Sequence, residues 1–299
     1  NEFTVNWRLR HRFRLAKRIA MHRARGKTRH ADRYGLSYWI WDYDRAITTP
    51  EGEPRTDDSG VLEQLRNIYH VLGTLPEDGV SQRTSIDVGA YIGIITLAME
   101  QFGPENHTVH SFEADDMNFD NFKTNVANVT NRAIVSHNVA MSDHPGTTMF
   151  TRNRDHGTNH LGVPSNEEGD SEAVYEVQVD SLDNFAASND IGVIDVVKID
   201  VEGSDIKVLA GAENLLSSGR IKALVIEIPL EVDGRSEMIN ILLDHGYSTA
   251  YIVRNSTGLI ESTETAFLNE NRSPLNMIAA TTDVAAILGF PRDKNSEDG

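Results

Sequence analysis

Apolar and polar residues follow one another along this chain with two different spacings. Short apolar runs recur between residues 84 and 282, and stretches with apolar residues at i, i+3 and i+4 separate most of them. The run V-I-D-V-V-K-I-D at residues 193–200 is the strongest of these runs and is typical of a buried strand. Strands that alternate with helices in this way predict an α/β fold with a doubly wound, mostly parallel sheet.

The predicted elements follow a regular order. An amphipathic helix at 60–73 comes before the alternation begins. No helical pattern lies between the last two strands, so we expect them to pair antiparallel across the loop 254–272. We predict strands at 85–88, 107–113, 133–140, 147–151, 174–179, 193–200, 221–228, 247–253 and 273–282, and helices at 94–99, 115–128, 181–187, 204–216 and 235–245.

The two ends of the chain lie outside this alternation. Residues 7–25 predict one basic helix, and the aromatic-rich stretch 34–47 predicts one or two strands ahead of a loop rich in Pro and Gly. We therefore divide the chain into a basic N-terminal helix, an N-terminal extension, a main α/β domain and a flexible tail, at residues 1–33, 34–83, 84–290 and 291–299.

Composition excludes several classes of protein. The 299 residues are 39% apolar, which is ample for a folded core. There is no cysteine, so disulfides, thiolate metal sites and a cysteine nucleophile are excluded. No apolar run approaches the roughly 20 residues of a membrane span. No signal peptide is visible, and we expect a cytoplasmic protein.

Charge is distributed unevenly. Residues 1–33 contain 11 of the 28 Lys and Arg and only two acids, so this segment carries +9 and the remainder −26. An acidic body repels nucleic acid and anionic membranes. For the basic helix we favour packing on an acidic partner or on the acidic body itself; peripheral contact with an anionic membrane and contact with nucleic acid stay open. Homo-oligomer formation stays open as well.

The stretch T-S-I-D-V-G-A-Y-I-G at residues 84–93 predicts a strand, a tight glycine turn and a helix N-terminus. Backbone amides in such a turn leave a cradle for a polar ligand. The dinucleotide motif G-x-G-x-x-G is poorly matched, because Ala90 or Tyr91 stands at its middle glycine. An S-adenosylmethionine site needs fewer glycines and an acid at the strand end, which Asp87 supplies. An ordinary strand-to-helix connection is the alternative.

Acidic residues stand at the ends of successive predicted strands, where ligands bind in such sheets. Glu113 lies 20 residues after Gly93, a spacing at which an acid takes ribose hydroxyls. Capping of helix N-termini is the alternative role for each single acid, but it explains the whole set less well. The set consists of Asp87, Glu113, Asp143, Asp200, Glu202 and Glu227.

Five motifs carry a resemblance to a known family. They are S-I-D-V-G-A-Y-I-G, H-S-F-E-A-D, N-V-A-M-S-D, V-V-K-I-D-V-E-G-S-D with V-L-A-G-A, and L-V-I-E-I, within residues 84–282. In this order and spacing, the chain resembles the FkbM-type family of S-adenosylmethionine-dependent methyltransferases. The resemblance implies a class I methyltransferase fold, a seven-stranded sheet whose last strand runs antiparallel. It also implies methyl transfer to oxygen, often on a sugar hydroxyl.

The resemblance also implies roles for individual positions. The methionine part of the cofactor would bind at Asp87, Gly89, Ala90 and Gly93, the ribose at Glu113, and the adenine beside Ser142 and Asp143. The methyl-transfer site would be faced by Lys198, Asp200 and Glu202. The family commonly reads F-E-P where this chain reads F-E-A, and we expect little consequence from Ala114.

Methyl transfer to a hydroxyl needs alignment and a general base. We expect Asp200 to be the base, with Glu202 as second choice, and Lys198 to steady a carboxylate or a sugar oxygen or to pair with an acid. Alternatively, Asp200, Glu202 and Glu227 bind a divalent cation such as Mg²⁺.

Two polar loops, 152–172 and 254–272, are expected to select the acceptor. Their cationic groups suit an anionic acceptor, or are merely solvated; they include Arg152, Arg154, His156, His160, Arg254 and Arg272.

Three rival functions remain. A nicotinamide-dependent oxidoreductase needs a third glycine in the turn, which is absent. A non-catalytic S-adenosylmethionine-binding or scaffold protein would not need the acids at strand ends. Nucleic-acid methylation conflicts with the acidic body and is supported only by the basic first 33 residues.

Overall fold

The computed structural model describes residues 27–31, 37–41, 60–76, 82–127, 133–153, 159–163, 171–229, 232–252, 260–262 and 276–290. The chain divides into two compact units, residues 1–56 and 57–299. In the first unit, β1 (Lys27–Ala31) and β2 (Ser37–Trp41) pair antiparallel, so a strand predicted within 34–47 is confirmed. The end of the segment 1–33, predicted to be a basic helix, is instead the strand β1. The predicted basic helix 7–25 and the predicted tail 291–299 lie outside the described residues.

The second unit contains alternating strands and helices. In chain order they are α1 (Val61–Leu72), β3 (Arg83–Val88), α2 (Ile94–Phe102), β4 (His107–Phe112), α3 (Asp116–Val126), β5 (Ala133–His137), β6 (Ala140–Met141), β7 (Gly146–Asn153), β8 (His160–Leu161), β9 (Ser171–Asp180), α4 (Leu182–Ser188), β10 (Ile194–Ile199), α5 (Asp205–Ala210), α6 (Glu213–Ser217), β11 (Ile221–Glu227), α7 (Val232–Asp244), β12 (Ser248–Ile252), β13 (Ile260–Ser262), β14 (Asn276–Ala280) and α8 (Thr282–Leu288).

The main sheet has the strand order β13-β12-β14-β11-β10-β3-β4-β5. Neighbours from β5 through β4, β3 and β10 to β11 are parallel, and β14 runs antiparallel to both β11 and β12. The predicted doubly wound, seven-stranded sheet with its last strand antiparallel is therefore confirmed. An eighth strand, β13, pairs with β12 inside the predicted loop 254–272, so that loop was predicted too long.

Strand order reverses between β3 and β10, because β3 continues to β4 on one side and β10 to β11 on the other. All six residues of β10 are buried, as expected for a central parallel strand covered on both faces. Ligands of doubly wound sheets bind where the carboxyl ends of such strands meet. The carboxyl ends of β3 and β10 are therefore the place to look for a site.

A second sheet has the strand order β6-β9-β7-β8; we call it the accessory sheet. The sequence predicted only two extended pieces around a loop 152–173, but β7 continues to Asn153 and β9 begins at Ser171. Their antiparallel pairing is supported by apolar side chains on one face, which form a cluster of Ala140, Phe150, Tyr175, Val177 and Val179. Alternation within this polar stretch was too weak to reveal the full strands.

Two further differences from the predicted elements concern helices. The helix predicted at 204–216 is two helices, α5 and α6. They are separated at Gly211, where an added Cβ would lie 2.1 Å from the carbonyl oxygen of Ser142. Helix α8 lies just after the last strand and was not predicted. Within the described ranges, no helix combines the length and the apolar character that crossing a membrane requires.

Candidate active site

The glycine turn, residues 89–93, joins β3 to α2 and contacts a distant part of the backbone. Gly89 has φ +78°, and a Cβ built there would lie 1.8 Å from the carbonyl oxygen of Asp200, just after β10. The amides of Gly89 and Ala90 donate to the carbonyl oxygen of Phe112 at 3.0 and 2.9 Å. Glycine is therefore required at position 89 by the close approach of two strand ends as well as by the backbone angle.

Gly93 begins α2 and has φ +92°. A Cβ there would lie 2.7 Å from Cδ2 of Phe122, on α3. The close contact that Gly93 allows is thus with the neighbouring helix α3.

Asp87 and Lys198 form a buried pair beside the glycine turn. The two residues are register partners on β3 and β10. Thr96 donates from Oγ1 to Oδ2 of Asp87 at 2.6 Å, and Nζ of Lys198 lies 4.0 Å from Oδ1. Among the described residues, none donates a hydrogen bond to Oδ1 of Asp87. Burial raises the pKa of Asp87, although Lys198 and Thr96 oppose the shift.

Lys198 links three groups at the strand ends. Its Nζ lies 3.0 Å from Oδ2 of Asp200 and donates to the carbonyl oxygen of Gly89 at 3.3 Å. Burial would lower the pKa of Lys198, but the charges of Asp200 and Asp87 outweigh it, so the pKa lies above its ordinary value. Lys198 is therefore a fixed positive charge and cannot act as a base at neutral pH.

Three carboxylates, Asp200, Glu202 and Glu227, meet at the ends of β10 and β11. One oxygen from each lies within 4.8 Å of the others; we call this group the carboxylate cluster. Burial, followed by the charges of Asp200 and Glu202, raises the pKa of Glu227 to about 9. Glu227 therefore holds a proton at neutral pH, and the cluster can both accept and donate hydrogen bonds.

The turn between β10 and α5 carries backbone strain. Glu202 has φ +50°, a left-handed conformation that is rare for a residue with a side chain, and Gly203 follows with φ +87°. Asp205 stabilises this turn by accepting from the amides of Val201 and Gly203, at 3.1 and 3.2 Å. The surrounding contacts thus maintain Glu202 in a conformation that glycine would adopt without strain.

Glu113 lies just after β4, on the other side of the glycine turn. The amide of Tyr91 donates to its Oε2 and the amide of Asp115 to its Oε1, both at 2.8 Å. Glu113 is buried, and burial, followed by the charge of Asp115, raises its pKa to about 8. Tyr91 was noted in the sequence only as a missing glycine; its φ of +51° and its amide give it a structural role.

Ser142 and Asp143 lie after the short strand β6, one strand later than the sequence predicted. The amide of Ser142 donates to the carbonyl oxygen of Asp180 at 2.9 Å, and its Oγ donates to Oδ1 of Asp143 at 3.1 Å. Ser142 is buried, whereas Asp143 is exposed and also pairs with His144.

Arg152 differs most from its prediction. It lies on β7 and not on a loop, its side chain is 1% exposed, and it forms an ion pair with Asp115. Its charge is thus neutralised inside the protein, and the prediction of Arg152 as a loop cation for an anionic acceptor is wrong. His160 lies on β8 and is half-buried. His156, Arg154, Arg254 and Arg272 lie outside the described residues.

The remaining predicted residues fall into two groups beside the glycine turn. Glu113 lies at the end of β4, and the carboxylate cluster lies with Lys198 at the ends of β10 and β11. Sequence reasoning missed Thr96, because a threonine one turn into a helix carries no motif that points to Asp87. It also missed Asp115 and Tyr175, whose interaction spans 60 positions.

Comparisons with known proteins match this chain to one family model and to several solved methyltransferase structures. The model of the methyltransferase FkbM domain matches residues 87–249, more than half of the chain. Methyltransferase FkbM from Methylobacillus flagellatus KT is 16% identical with a TM-score of 0.44, over 79% of this chain and 49% of that one. Precorrin-6y C5,15-methyltransferase from Geobacter metallireducens GS-15 is 14% identical with a TM-score of 0.39, over 81% of this chain and 96% of that one.

The chain thus spans about half the length of the Methylobacillus structure that it matches. No curated protein sequence matches the chain significantly.

Proposed function

The chain belongs to the FkbM methyltransferase family, and from that premise we propose that it is an S-adenosylmethionine-dependent O-methyltransferase. The acceptor we propose is a hydroxyl group of a sugar, a glycan or a related small molecule. The observation that supports this most is the carboxylate cluster, which lies next to the glycine turn because Gly89 contacts the carbonyl of Asp200.

The residues at the glycine turn suit S-adenosylmethionine better than a dinucleotide. A pyrophosphate needs bare backbone, whereas Ala90 and Tyr91 carry side chains here. A cationic ligand with a ribose needs acids. This site offers Glu113 and a buried oxygen of Asp87 that accepts no hydrogen bond from the part of the chain that the structure describes. In this proposal Glu113 binds the ribose hydroxyls, Asp87 and the glycine turn hold the methionine part, and Ser142 and Asp143 lie beside the adenine.

The bound cofactor would supply an activated methyl group, so the protein has to align the acceptor and remove its proton. Asp200 accepts the hydroxyl proton in this proposal, because it lies beside the glycine turn, whereas Lys198 and Glu227 next to it already carry protons. Lys198 orients Asp200 through the contact at 3.0 Å. Glu227, protonated, donates to an acceptor oxygen or to Asp200.

The acceptor's chemistry follows from the same groups. Carboxylates hydrogen-bond to hydroxyl groups and repel anions. With Arg152 buried and paired, the described part of the site favours a neutral, hydroxyl-rich acceptor over the anionic one suggested by the sequence.

The carboxylate cluster also raises the question of a divalent cation. Three carboxylate oxygens within 4.8 Å of one another have the donor chemistry that Mg²⁺ prefers. Asp200 and Glu227 would be its ligands, with Glu227 losing its proton. If a metal is needed, prior treatment with a chelator abolishes turnover and added Mg²⁺ restores it; if Asp200 acts as the base, turnover is unchanged.

Two substitutions test the proposal. We expect wild-type protein to bind S-adenosylhomocysteine in a calorimetric titration. Glu113→Gln should weaken binding at least about 10-fold, because glutamine has one acceptor oxygen where Glu113 uses two to accept from the amides of Tyr91 and Asp115. With labelled S-adenosylmethionine and a panel of saccharides, Asp200→Asn should lower kcat by about 10²–10⁴-fold. Its affinity for S-adenosylhomocysteine should stay close to that of the wild type.

The matched control is Asp190→Asn. Asp190 is exposed and precedes β10, so it lies at the amino end of that strand and away from the site. This variant should change neither the affinity for S-adenosylhomocysteine nor kcat. No binding by the wild type would eliminate the methyltransferase proposal. Binding without turnover on any acceptor would favour the alternative, a non-catalytic S-adenosylmethionine-binding protein.

The backbone strain at Glu202 leads to a separate prediction about stability. Glu202→Gly should raise the free energy of unfolding by about 0.5–1 kcal/mol, because glycine adopts positive φ without a steric penalty. Asp190→Gly is the control, since Asp190 has φ +52°. Both variants should gain stability in urea denaturation. Only Glu202→Gly should lose methyl transfer, because it alone removes a side chain of the carboxylate cluster. Loss of stability in Glu202→Gly alone would mean that its carboxylate stabilises the fold.

A further inference from the structure

Asp115, two residues after Glu113, has a fully buried carboxylate with a complete set of hydrogen bonds. Its Oδ1 accepts from the amides of Met117 and Asn118, at 2.9 and 2.8 Å, and so caps α3. Its Oδ2 accepts from Nε of Arg152 and from the hydroxyl of Tyr175, the latter at 2.8 Å. One carboxylate therefore ties a helix of the main domain to the accessory sheet.

The two partners from the accessory sheet are themselves buried and joined. Arg152 on β7 is 1% exposed and Tyr175 on β9 is 4% exposed. Nη2 of Arg152 donates to the hydroxyl of Tyr175 at 2.9 Å, and the guanidinium lies 5.0 Å from the centre of the tyrosine ring. Together with Asp115 they form what we call the Asp115 network.

The Asp115 network continues to Glu113 through the main chain. The amide of Asp115 donates to Oε1 of Glu113 at 2.8 Å. The side-chain amide of Asn138 donates to the carbonyl oxygen of Glu113 at 2.9 Å. Because the side chain of Asp115 is fixed at four points, its amide is fixed as well, and with it one oxygen of Glu113.

Stability alone gives little reason for this arrangement. A helix N-cap needs no arginine behind it, since Asn and Ser cap as well as Asp. Burying an ion pair costs desolvation that apolar residues of similar size avoid. Burial alone would raise the pKa of Asp115. The charge of Arg152 is the main effect that opposes burial, and the pKa lies below its usual range. A buried ion pair of this kind is better explained by a need for fixed geometry.

We propose that the accessory sheet positions the cofactor acid, with Arg152 and Tyr175 as positioning residues that act on Glu113 through Asp115. This inference rests on the proposed function, in which Glu113 binds the cofactor's ribose. The sheet inserted between β5 and β10 then belongs to the binding machinery, although none of its residues in the Asp115 network touches the ribose.

The first test compares two buried tyrosines. Tyr175→Phe removes one hydroxyl from the Asp115 network and should raise the Kd for S-adenosylhomocysteine about 3–10-fold. The matched control is Tyr247→Phe, which removes a hydroxyl that donates to the carbonyl oxygen of Ile221 at 2.8 Å. Ile221 begins β11, so this contact lies at the amino ends of the strands, away from the site. Both variants should lose similar stability in thermal denaturation, but Tyr247→Phe should keep the wild-type Kd.

The second test removes both charges. In Arg152→Met combined with Asp115→Asn, asparagine keeps the helix cap and methionine fills much of the arginine's volume, so near-wild-type stability is expected. The Kd should nevertheless rise at least about 10-fold, because a cofactor group that is slightly misplaced loses much of its effect. The KM for S-adenosylmethionine should rise in parallel, while kcat at saturation stays within about 2-fold because the carboxylate cluster is intact.

The outcomes separate the two proposals. If the wild type fails to bind S-adenosylhomocysteine, the proposed function falls and this inference with it. Suppose instead that the wild type binds, and that Tyr175→Phe and the double variant both bind with the wild-type Kd. The Asp115 network is then only structural, and this inference alone is overturned. A loss of affinity in Tyr247→Phe as large as in Tyr175→Phe would also overturn it, since lost stability would then explain both.

Discussion

Replacement of Gly89 by alanine is expected to abolish cofactor binding and to lower the free energy of unfolding by about 2–5 kcal/mol. The added Cβ would lie 1.8 Å from the carbonyl oxygen of Asp200, which is main chain and cannot rotate away. The glycine turn and the end of β10 would have to separate, and Lys198 would lose the carbonyl of Gly89 to which it donates. Urea denaturation and titration with S-adenosylhomocysteine measure the two effects.

Gly219→Ala is the control for the backbone angle. Gly219 has φ +63°, but a Cβ there meets no atom of the described residues within 4 Å. It should cost about 1–2 kcal/mol from the left-handed conformation alone and should leave cofactor affinity unchanged. The difference between the two variants measures the close approach of the strand ends. If Gly89→Ala bound S-adenosylhomocysteine as well as Gly219→Ala, that close approach would not matter for the site.

Lys198→Met is expected to lower the free energy of unfolding by about 3–5 kcal/mol, because it leaves buried carboxylate charge without a partner. Asp87 is fully buried and has Lys198 as its nearby cation, and Asp200 lies 3.0 Å from the same ammonium group. Methyl transfer should be lost as well, since Lys198 orients Asp200 in the proposed function. Urea denaturation gives the stability, and turnover on the saccharide panel gives the activity.

Two comparisons isolate the buried charge. Adding Asp87→Asn to Lys198→Met should restore most of the stability, because the asparagine still accepts from Thr96 and carries no charge. Activity should not return. Lys123→Met removes an exposed lysine paired with Asp120 at 2.9 Å and should cost no more than about 1 kcal/mol. If Lys198→Met were as mild as Lys123→Met, the interpretation of Lys198 as a buried link would be wrong.

The sequence by itself determined the framework of this protein. Runs such as V-I-D-V-V-K-I-D, separated by amphipathic stretches, predicted the parallel sheet, because a strand covered on both faces is mostly apolar. The motif around Gly89 and the acids after successive strands predicted where a candidate site lies, because the carboxyl ends of parallel strands meet at one edge. These features are local: a few neighbouring residues specify each of them.

The tertiary structure alone decided which of these residues meet and in what state. Arg152 is polar in sequence, and only the tertiary contact between β7 and the start of α3 places it beside Asp115, 37 positions away. Burial, followed by the charges of Asp200 and Glu202 after the neighbouring strand, raises the pKa of Glu227, so Glu227 holds a proton. Lys198 joins Asp87, Gly89 and Asp200 because β3 and β10 are neighbours in the sheet. Contacts between distant segments, and the pKa shifts that they cause, depend on packing that no local pattern encodes.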